Sequence, residues 1–278
     1  MKRHYTPLFL SIGIIVIVFI ARASLAPIFN VPRTFEIFDT LTVVGAFFIA
    51  LINYRDLRYS DWMTALLLGA VVGVGMLFAT LFSPYPFFGV VNGYAGQALI
   101  RGTFTTLATL GGLAIMQQGG PVQFHALKGN WRDMSRGILL GLAIGLPLAV
   151  LNVLALRLTQ GQPIQWQNPF AALLDALQPG VVEEVIYRFA LWGLLWLVLR
   201  SSLPEQAPWL SGLLATLVHN YSHLDDLFIQ SPLMALGIGA ALVLIWGLPP
   251  FLLARCRGLE SAIVFHWIQD VARFFVGF

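Results

Sequence analysis

The sequence predicts an all-α fold, a polytopic transmembrane helix bundle of eight or nine spans. Hydrophobic residues make up 58% of the 278 positions and charged residues only 10%, against about 25% charged residues in soluble domains. Mean hydropathy is +0.80. The apolar residues are gathered in runs close to the ~20 residues that a helix needs to cross a bilayer. We therefore expect an integral membrane protein.

Nine apolar runs follow one another, at 7–21, 37–53, 62–83, 98–116, 137–157, 170–200, 208–223, 231–254 and 258–277. The first is at the long end for a signal-peptide core, which favours a first transmembrane helix. The run at 170–200 is too long for one simple span, and Pro179-Gly180 marks a point where a helix can restart. Gly137, Gly141 and Gly145 recur at a spacing that lets neighbouring helices approach closely in lipid.

No soluble domain fits between these runs, because the longest polar connection, about Gln117 to Arg136, is too short to bury a core. We expect one membrane domain over 1–278, with accessory helices in 1–165 and a catalytic helix core in 166–278. The net charge is only +3 and the basic residues form no patch, which excludes nucleic-acid binding. The single cysteine, Cys256, excludes an intramolecular disulfide.

The stretch VVEEVIYRF places two glutamates and an arginine inside an apolar run. Charged side chains are costly within a bilayer, so such residues indicate a functional site and a partner. Glu184 and Arg188 are spaced i,i+4 with the acid first, which favours a structural ion pair. Glu183 lies about 100° further round the helix and shares its face with Tyr187, so Glu183 is the candidate for chemistry and Tyr187 a further candidate.

Two later helices carry histidines. His219 and His223 share one helix face, and so do His266 and Asp270 in the last helix. Glu183 lies early in its helix and His219 late in the next, so antiparallel packing would bring them to the same depth. Each residue alone has an ordinary structural explanation, but their joint occurrence in three apolar helices favours a shared site.

The order E-E-x-x-x-R, then a histidine, then H-x-x-x-D resembles the CPBP family of intramembrane endopeptidases, which includes CAAX prenyl proteases and bacteriocin-processing enzymes. The likeness covers about residues 170–275. Its motif positions fall on Glu183, Glu184, Arg188, His219, His266 and Asp270. Ala215 stands where the second motif commonly has Phe, so His223 remains an alternative to His219. Asp270 replaces the commoner Asn and, when ionised, cannot donate a hydrogen bond to an oxyanion.

The resemblance implies a glutamate-dependent peptidase without a cofactor. Glu183 with His219 would activate a water as general base, and His266, oriented by Asp270, would stabilise the oxyanion. Glu184 and Arg188 would support the site. The same atoms of Glu183, His219 and His266 could instead hold zinc with an open water position, although no H-E-x-x-H motif is present.

Two further classes of function stay open. Buried acids and histidines can form a relay in a proton- or ion-coupled transporter, although no internal repeat is found. A non-catalytic membrane scaffold or immunity protein of the same fold is the other alternative. For the peptidase we expect a membrane-embedded or lipidated peptide substrate, the lipid bilayer as surroundings, and a location in the bacterial cell (inner) membrane. The sequence does not indicate an oligomeric state.

Overall fold

The computed structural model describes residues 5–29, 31–82 and 86–278. These ranges are mostly helical and contain no β-strand, only an isolated bridge between Phe87 and Val91. The predicted all-α class is therefore confirmed.

The first half of the chain forms five long helices and a short 3₁₀ turn at Ala126–Lys128. The helices are α1 (Thr6–Leu25), α2 (Thr34–Ile52), α3 (Tyr59–Leu77), α4 (Tyr94–Gln117) and α5 (Trp131–Gln160). Helix α3 ends before residue 83, where the apolar run ends. The backbone N–H groups of Thr80, Leu81 and Phe82 all donate to the Asp175 carboxylate instead of continuing the helix, at 2.9, 2.5 and 3.1 Å.

The second half is built from shorter pieces. They are α6 (Pro169–Asp175), α7 (Leu177–Glu183), a π-helix (Glu184–Leu191), α8 (Trp192–Leu199), α9 (Ala207–Ser222), α10 (Asp225–Gln230), α11 (Pro232–Leu242), a second π-helix (Val243–Gly247), α12 (Leu248–Arg257) and α13 (Leu259–Phe275). The run at 170–200 is broken at Ala176, and the helix restarts at Leu177 with Pro179 in its first turn.

Within the described ranges, six helices are long and apolar enough to cross a membrane: 6–25, 34–52, 59–77, 94–117, 131–160 and 232–257. Helix α9 has 16 residues and α13 has 17, somewhat short of the ~20 that a simple span needs. Eight or nine spans thus remains a prediction. The apolar side chains of α1 are largely exposed, and a helix apolar on all sides needs apolar surroundings. The chain is an integral membrane protein.

Helix α13 is held against α5 by glycines at the predicted four-residue spacing. A Cβ atom added to Gly141 would lie 2.5 Å from the carbonyl oxygen of Ser261 in α13, and one added to Gly137 would lie 2.8 Å from that of Arg257, the last residue of α12. These backbones approach more closely than side chains would allow, so the packing role predicted for the glycines is confirmed. The contact fixes the helix that carries His266 and Asp270.

Candidate active site

Glu183 lies at the junction of α7 and the π-helix, and three histidines surround its carboxylate. Oε2 of Glu183 is 2.7 Å from Nε2 of His219. The same oxygen is 3.7 Å from Nε2 of both His223 and His266. Oε1 makes no hydrogen bond to any residue in the described ranges. The Glu183 side chain is 25% exposed, so one of its oxygens is available to a molecule in the site.

His219 and His223 occupy different positions in this arrangement. The His219 side chain is 7% exposed, whereas that of His223 is 49% exposed. The ring of Tyr187 stacks on His219 with centroids 4.6 Å apart. The tight contact to Glu183 and this stack favour His219 as the motif histidine.

Arg188 determines which nitrogen of His219 carries the proton. Its Nη1 contacts Nδ1 of His219, and a guanidinium group can only donate. Nδ1 therefore accepts, so the proton of the neutral ring lies on Nε2 and is donated to Glu183. Nη1 of Arg188 is also 3.5 Å from Oε1 of Glu184. Arg188 thus contacts His219 as well as the predicted partner Glu184.

Glu184 is buried and forms a second acid–histidine pair. Its Oε1 is 2.9 Å from Nδ1 of His266. Nε2 of His266 is 3.4 Å from Oδ2 of Asp270, and Oδ1 of Asp270 is 2.9 Å from Nη2 of Arg273 in an ion pair. Glu184 therefore orients His266 in addition to pairing with Arg188, and Asp270 lies where it can do the same.

The π-helix and a close helix crossing place these two pairs side by side. Single π-turns inside α-helices often occur at functional sites, and here the turn starts at Glu184. Just before it, Gly180 packs on the backbone of α13. A Cβ added there would lie 2.9 Å from Cα of Trp267, the residue that follows His266. The absence of a side chain at Gly180 lets α7 approach α13 closely enough for the Glu184–His266 contact.

Both pairs line a cavity of about 760 Å³, within the range of about 300–1,000 Å³ that is typical of ligand sites. The motif residues Glu183, Glu184, Arg188, His219, His266 and Asp270 all line it, together with Tyr187 and His223. Every candidate site residue named from the sequence therefore contributes to one cavity.

Several other polar residues of the cavity were missed in the sequence. They include Asp39, Arg101, Gln178, Gln269 and Arg273. Asp39 and Arg101 lie inside the apolar runs at 37–53 and 98–116, so the rule that flagged Glu183, the cost of charge in a bilayer, would also have flagged them. The two glutamines offered no comparable signal.

A metal ion could be bound by a set that differs from the one predicted. Side-chain donor atoms of Glu183, His219 and His223 lie within 4.8 Å of one another, and zinc accepts two imidazoles and a carboxylate. The surroundings fit zinc less well. A zinc-bound histidine donates its second ring N–H to an acceptor, but Nδ1 of His219 faces the Arg188 guanidinium. The proton then lies on Nε2, which leaves no lone pair there for the metal.

Residues 165–272 match the family model described as Type II CAAX prenyl endopeptidase Rce1-like. This segment is an Rce1-like domain. It holds all the motif residues named above, and the predicted resemblance to the CPBP family is confirmed. No curated protein and no solved structure matches the chain.

The Rce1-like domain begins near α6 and ends within α13, so α1–α5 lie outside the matched residues. The family is one of CAAX intramembrane proteases, which supports a protease enzyme for this chain. Helices α2, α4 and α5 nevertheless contribute to the wall of the cavity around the Rce1-like site.

Proposed function

We propose that this protein is a glutamate-dependent intramembrane endopeptidase that hydrolyses a peptide bond of a lipidated, membrane-associated substrate. The observation that carries the proposal is the pairing of Glu183 with His219 at 2.7 Å inside a cavity of about 760 Å³. The Rce1-like match supports the same class of enzyme.

Glu183 acts as the general base. His219 donates its Nε2 proton to Oε2, which fixes the carboxylate and leaves Oε1 to accept a proton from water. Because Arg188 occupies Nδ1 of His219, this histidine has no free nitrogen with which to accept a proton from water. Its role is to position the Glu183 carboxylate. The activated water attacks the peptide carbonyl, and the proton held by Glu183 passes to the leaving amine.

His266 stabilises the oxyanion that forms at the attacked carbonyl. Doubly protonated His266 donates from Nδ1 to Glu184, and its Nε2–H lies on the same side as Glu183. Loss of one such donor costs other enzymes about 10²–10³ in kcat. Asp270 is an acceptor 3.4 Å from Nε2, so before the reaction it orients the ring through the Nε2–H. As the oxyanion forms, it takes over this hydrogen from Asp270, and Asp270 does not bind the oxyanion itself.

The mechanism uses no metal. In a zinc site, Nε2 of His219 would have to bind the metal through its lone pair. Because Arg188 occupies Nδ1, Nε2 carries the proton instead, which supports the metal-free mechanism. Total metal analysis of the purified, active protein tests the point. Stoichiometric zinc, lost together with activity on chelation, would overturn the metal-free mechanism.

The substrate class follows from the family name and from the setting. A CAAX tail carries a prenyl group on a cysteine near the C-terminus, and such a lipid anchors the peptide at a membrane. The exposed apolar helices of this protein lie in the same environment. A prenylated CAAX peptide is therefore the substrate to test first.

The decisive experiment measures cleavage of a prenylated CAAX peptide by purified protein in proteoliposomes. Glu183→Gln removes the base while keeping the shape, and we expect a loss of about 10²–10⁴-fold in kcat. His219→Ala and His266→Ala should each reduce kcat by at least about 10²-fold. His125→Ala is the matched control, since His125 lies outside the cavity and pairs with Glu260 at 3.8 Å.

Full activity in all three site variants would sink the peptidase proposal. Ion or proton flux through the same liposomes that is lost in Glu183→Gln would point instead to the transporter. Tight binding of the peptide without cleavage by the unchanged protein would favour the non-catalytic scaffold.

A further inference from the structure

A second buried charged pair lines the cavity, and the mechanism above does not use it. Asp39 of α2 and Arg101 of α4 are 3% and 7% exposed. Nη1 of Arg101 is 3.2 Å from Oδ2 of Asp39. Both residues lie outside the matched segment at 165–272.

This pair has unused hydrogen-bonding capacity. Three buried polar atoms here have no hydrogen-bond partner of normal geometry among the described residues: Nε of Arg101, Oδ1 of Asp39 and the hydroxyl of Tyr187. Buried polar atoms of this kind are uncommon in folded proteins and need an explanation. Nε of Arg101, in the wall of a cavity, is the one of these atoms that points to a ligand.

The chemistry of the ligand follows from which atoms lack a nearby partner. The free oxygen of Asp39 has the Tyr187 hydroxyl close by, although the two do not form a hydrogen bond of normal geometry. Nε of Arg101 has no acceptor among the described residues. The capacity left unfilled is that of a donor on a positively charged group, so the ligand supplies an acceptor, and an anionic acceptor is favoured.

Arg101 is held in a fixed orientation that suits a carboxylate. Asp39 takes one corner of the guanidinium group, and the rings of Phe35 and Phe87 lie 6.0 and 5.9 Å from its central carbon. On the edge formed by Nε and Nη2, Nε has no hydrogen-bond partner among the described residues. Two parallel N–H groups on that edge match the two oxygens of a carboxylate.

The pair is also linked to the catalytic residues. The Tyr187 ring stacks on His219, while its hydroxyl lies near Asp39. A peptide bound at Arg101 therefore shares one cavity with the proposed base and is connected to it through Asp39, Tyr187 and His219. Binding at this point would fix which peptide bond reaches Glu183.

We propose that Arg101, held by Asp39, binds the free C-terminal carboxylate of the substrate peptide. The inference rests on the proposed function, because a CAAX tail ends in such a carboxylate a few residues after the lipidated cysteine. The subsite explains why helices outside the Rce1-like segment contribute charged residues to its cavity.

The test compares two prenylated CAAX peptides that differ only at the C-terminus, one a free acid and the other a carboxamide. The unchanged protein should cleave the acid with a kcat/KM about 10- to 100-fold higher. Arg101→Gln should lower cleavage of the acid to the level of the amide, with little effect on the amide. Arg136→Gln, at an exposed arginine, should keep the full preference.

Arg101→Gln leaves Asp39 without its partner and can disturb folding, so the Asp39→Asn/Arg101→Gln double variant removes both charges together. It should also lose the preference for the acid. Equal cleavage of acid and amide by the unchanged protein would overturn the subsite and leave the peptidase intact; this comparison needs no variant. Retention of the preference in either Arg101 variant would overturn it too. Failure of the unchanged protein to cleave either peptide would overturn the proposed function and the subsite together.

Discussion

Gly180 gives a direct test of whether helix packing sets the position of His266. In Gly180→Ala the new Cβ would lie 2.9 Å from Cα of Trp267 and 3.0 Å from its N and Cβ. Non-bonded carbon atoms normally lie about 3.5–4.0 Å apart, so the two helices must separate by about 0.6 Å or more. All three contacts involve Trp267 atoms at or next to its backbone, which cannot rotate away.

The separation of α7 from α13 would move His266, the residue next to Trp267. The Nδ1–Oε1 distance between His266 and Glu184 is 2.9 Å, and an added ~0.6 Å takes it to about 3.5 Å, beyond a normal hydrogen bond. A misplacement of about 1 Å can cost about 10²-fold in rate, so we expect kcat/KM to fall about 10- to 100-fold. Stability should fall moderately, because overpacking costs about 1–3 kcal/mol and the preference for alanine over glycine in helices offsets only about 0.5–1 kcal/mol of it.

The assay is cleavage of the prenylated CAAX peptide in proteoliposomes, with thermal unfolding in detergent as the check on folding. Gly237→Ala is the matched control, since Gly237 is helical and a Cβ there meets no atom within 4 Å. A folded Gly180→Ala protein that cleaves at the rate of the unchanged protein would show that this crossing does not set the geometry of His266.

Two further substitutions test other contacts. Arg188→Lys keeps a positive charge near Glu184, but an ammonium lacks the planar fork that reaches His219 as well, so we expect kcat to fall at least ~10-fold; an unaffected pH profile and rate would refute the role given to Arg188. Asp175→Ala removes the acceptor of three backbone N–H groups and should lower the free energy of unfolding by about 1–3 kcal/mol, with a smaller loss for Asp175→Asn. Thermal unfolding measures this second effect, and equal midpoints for the Ala and Asn variants would contradict it.

The positions of Glu183 and His219 could be predicted because they depend on coarse features. The order of apolar runs gives adjacent antiparallel helices, and equal depth then follows from position along each helix. The all-α class follows equally directly from composition. These inferences need no knowledge of how any two helices cross.

The contact between Glu184 and His266 could not be predicted in the same way. It depends on the close crossing of α7 and α13 at Gly180 and on the π-helix that begins at Glu184. Neither the crossing nor the extra residue in the turn leaves a periodic signal in the sequence. The spacing of Glu184 and Arg188 therefore predicted their ion pair, but it gave no indication that each would also contact a histidine.

The structure gives a physical reason for the spacing within E-E-x-x-x-R. Adjacent glutamates point about 100° apart on a helix, so Glu183 and Glu184 can reach histidines on two different helices. Arg188 lies one turn later, where its guanidinium contacts Glu184 of one pair and His219 of the other. A single cation thus offsets the buried charge of Glu184 and sets the tautomer of the histidine that serves Glu183. The three charged residues form one connected unit, in which the arginine links the Glu184–His266 pair to the Glu183–His219 pair.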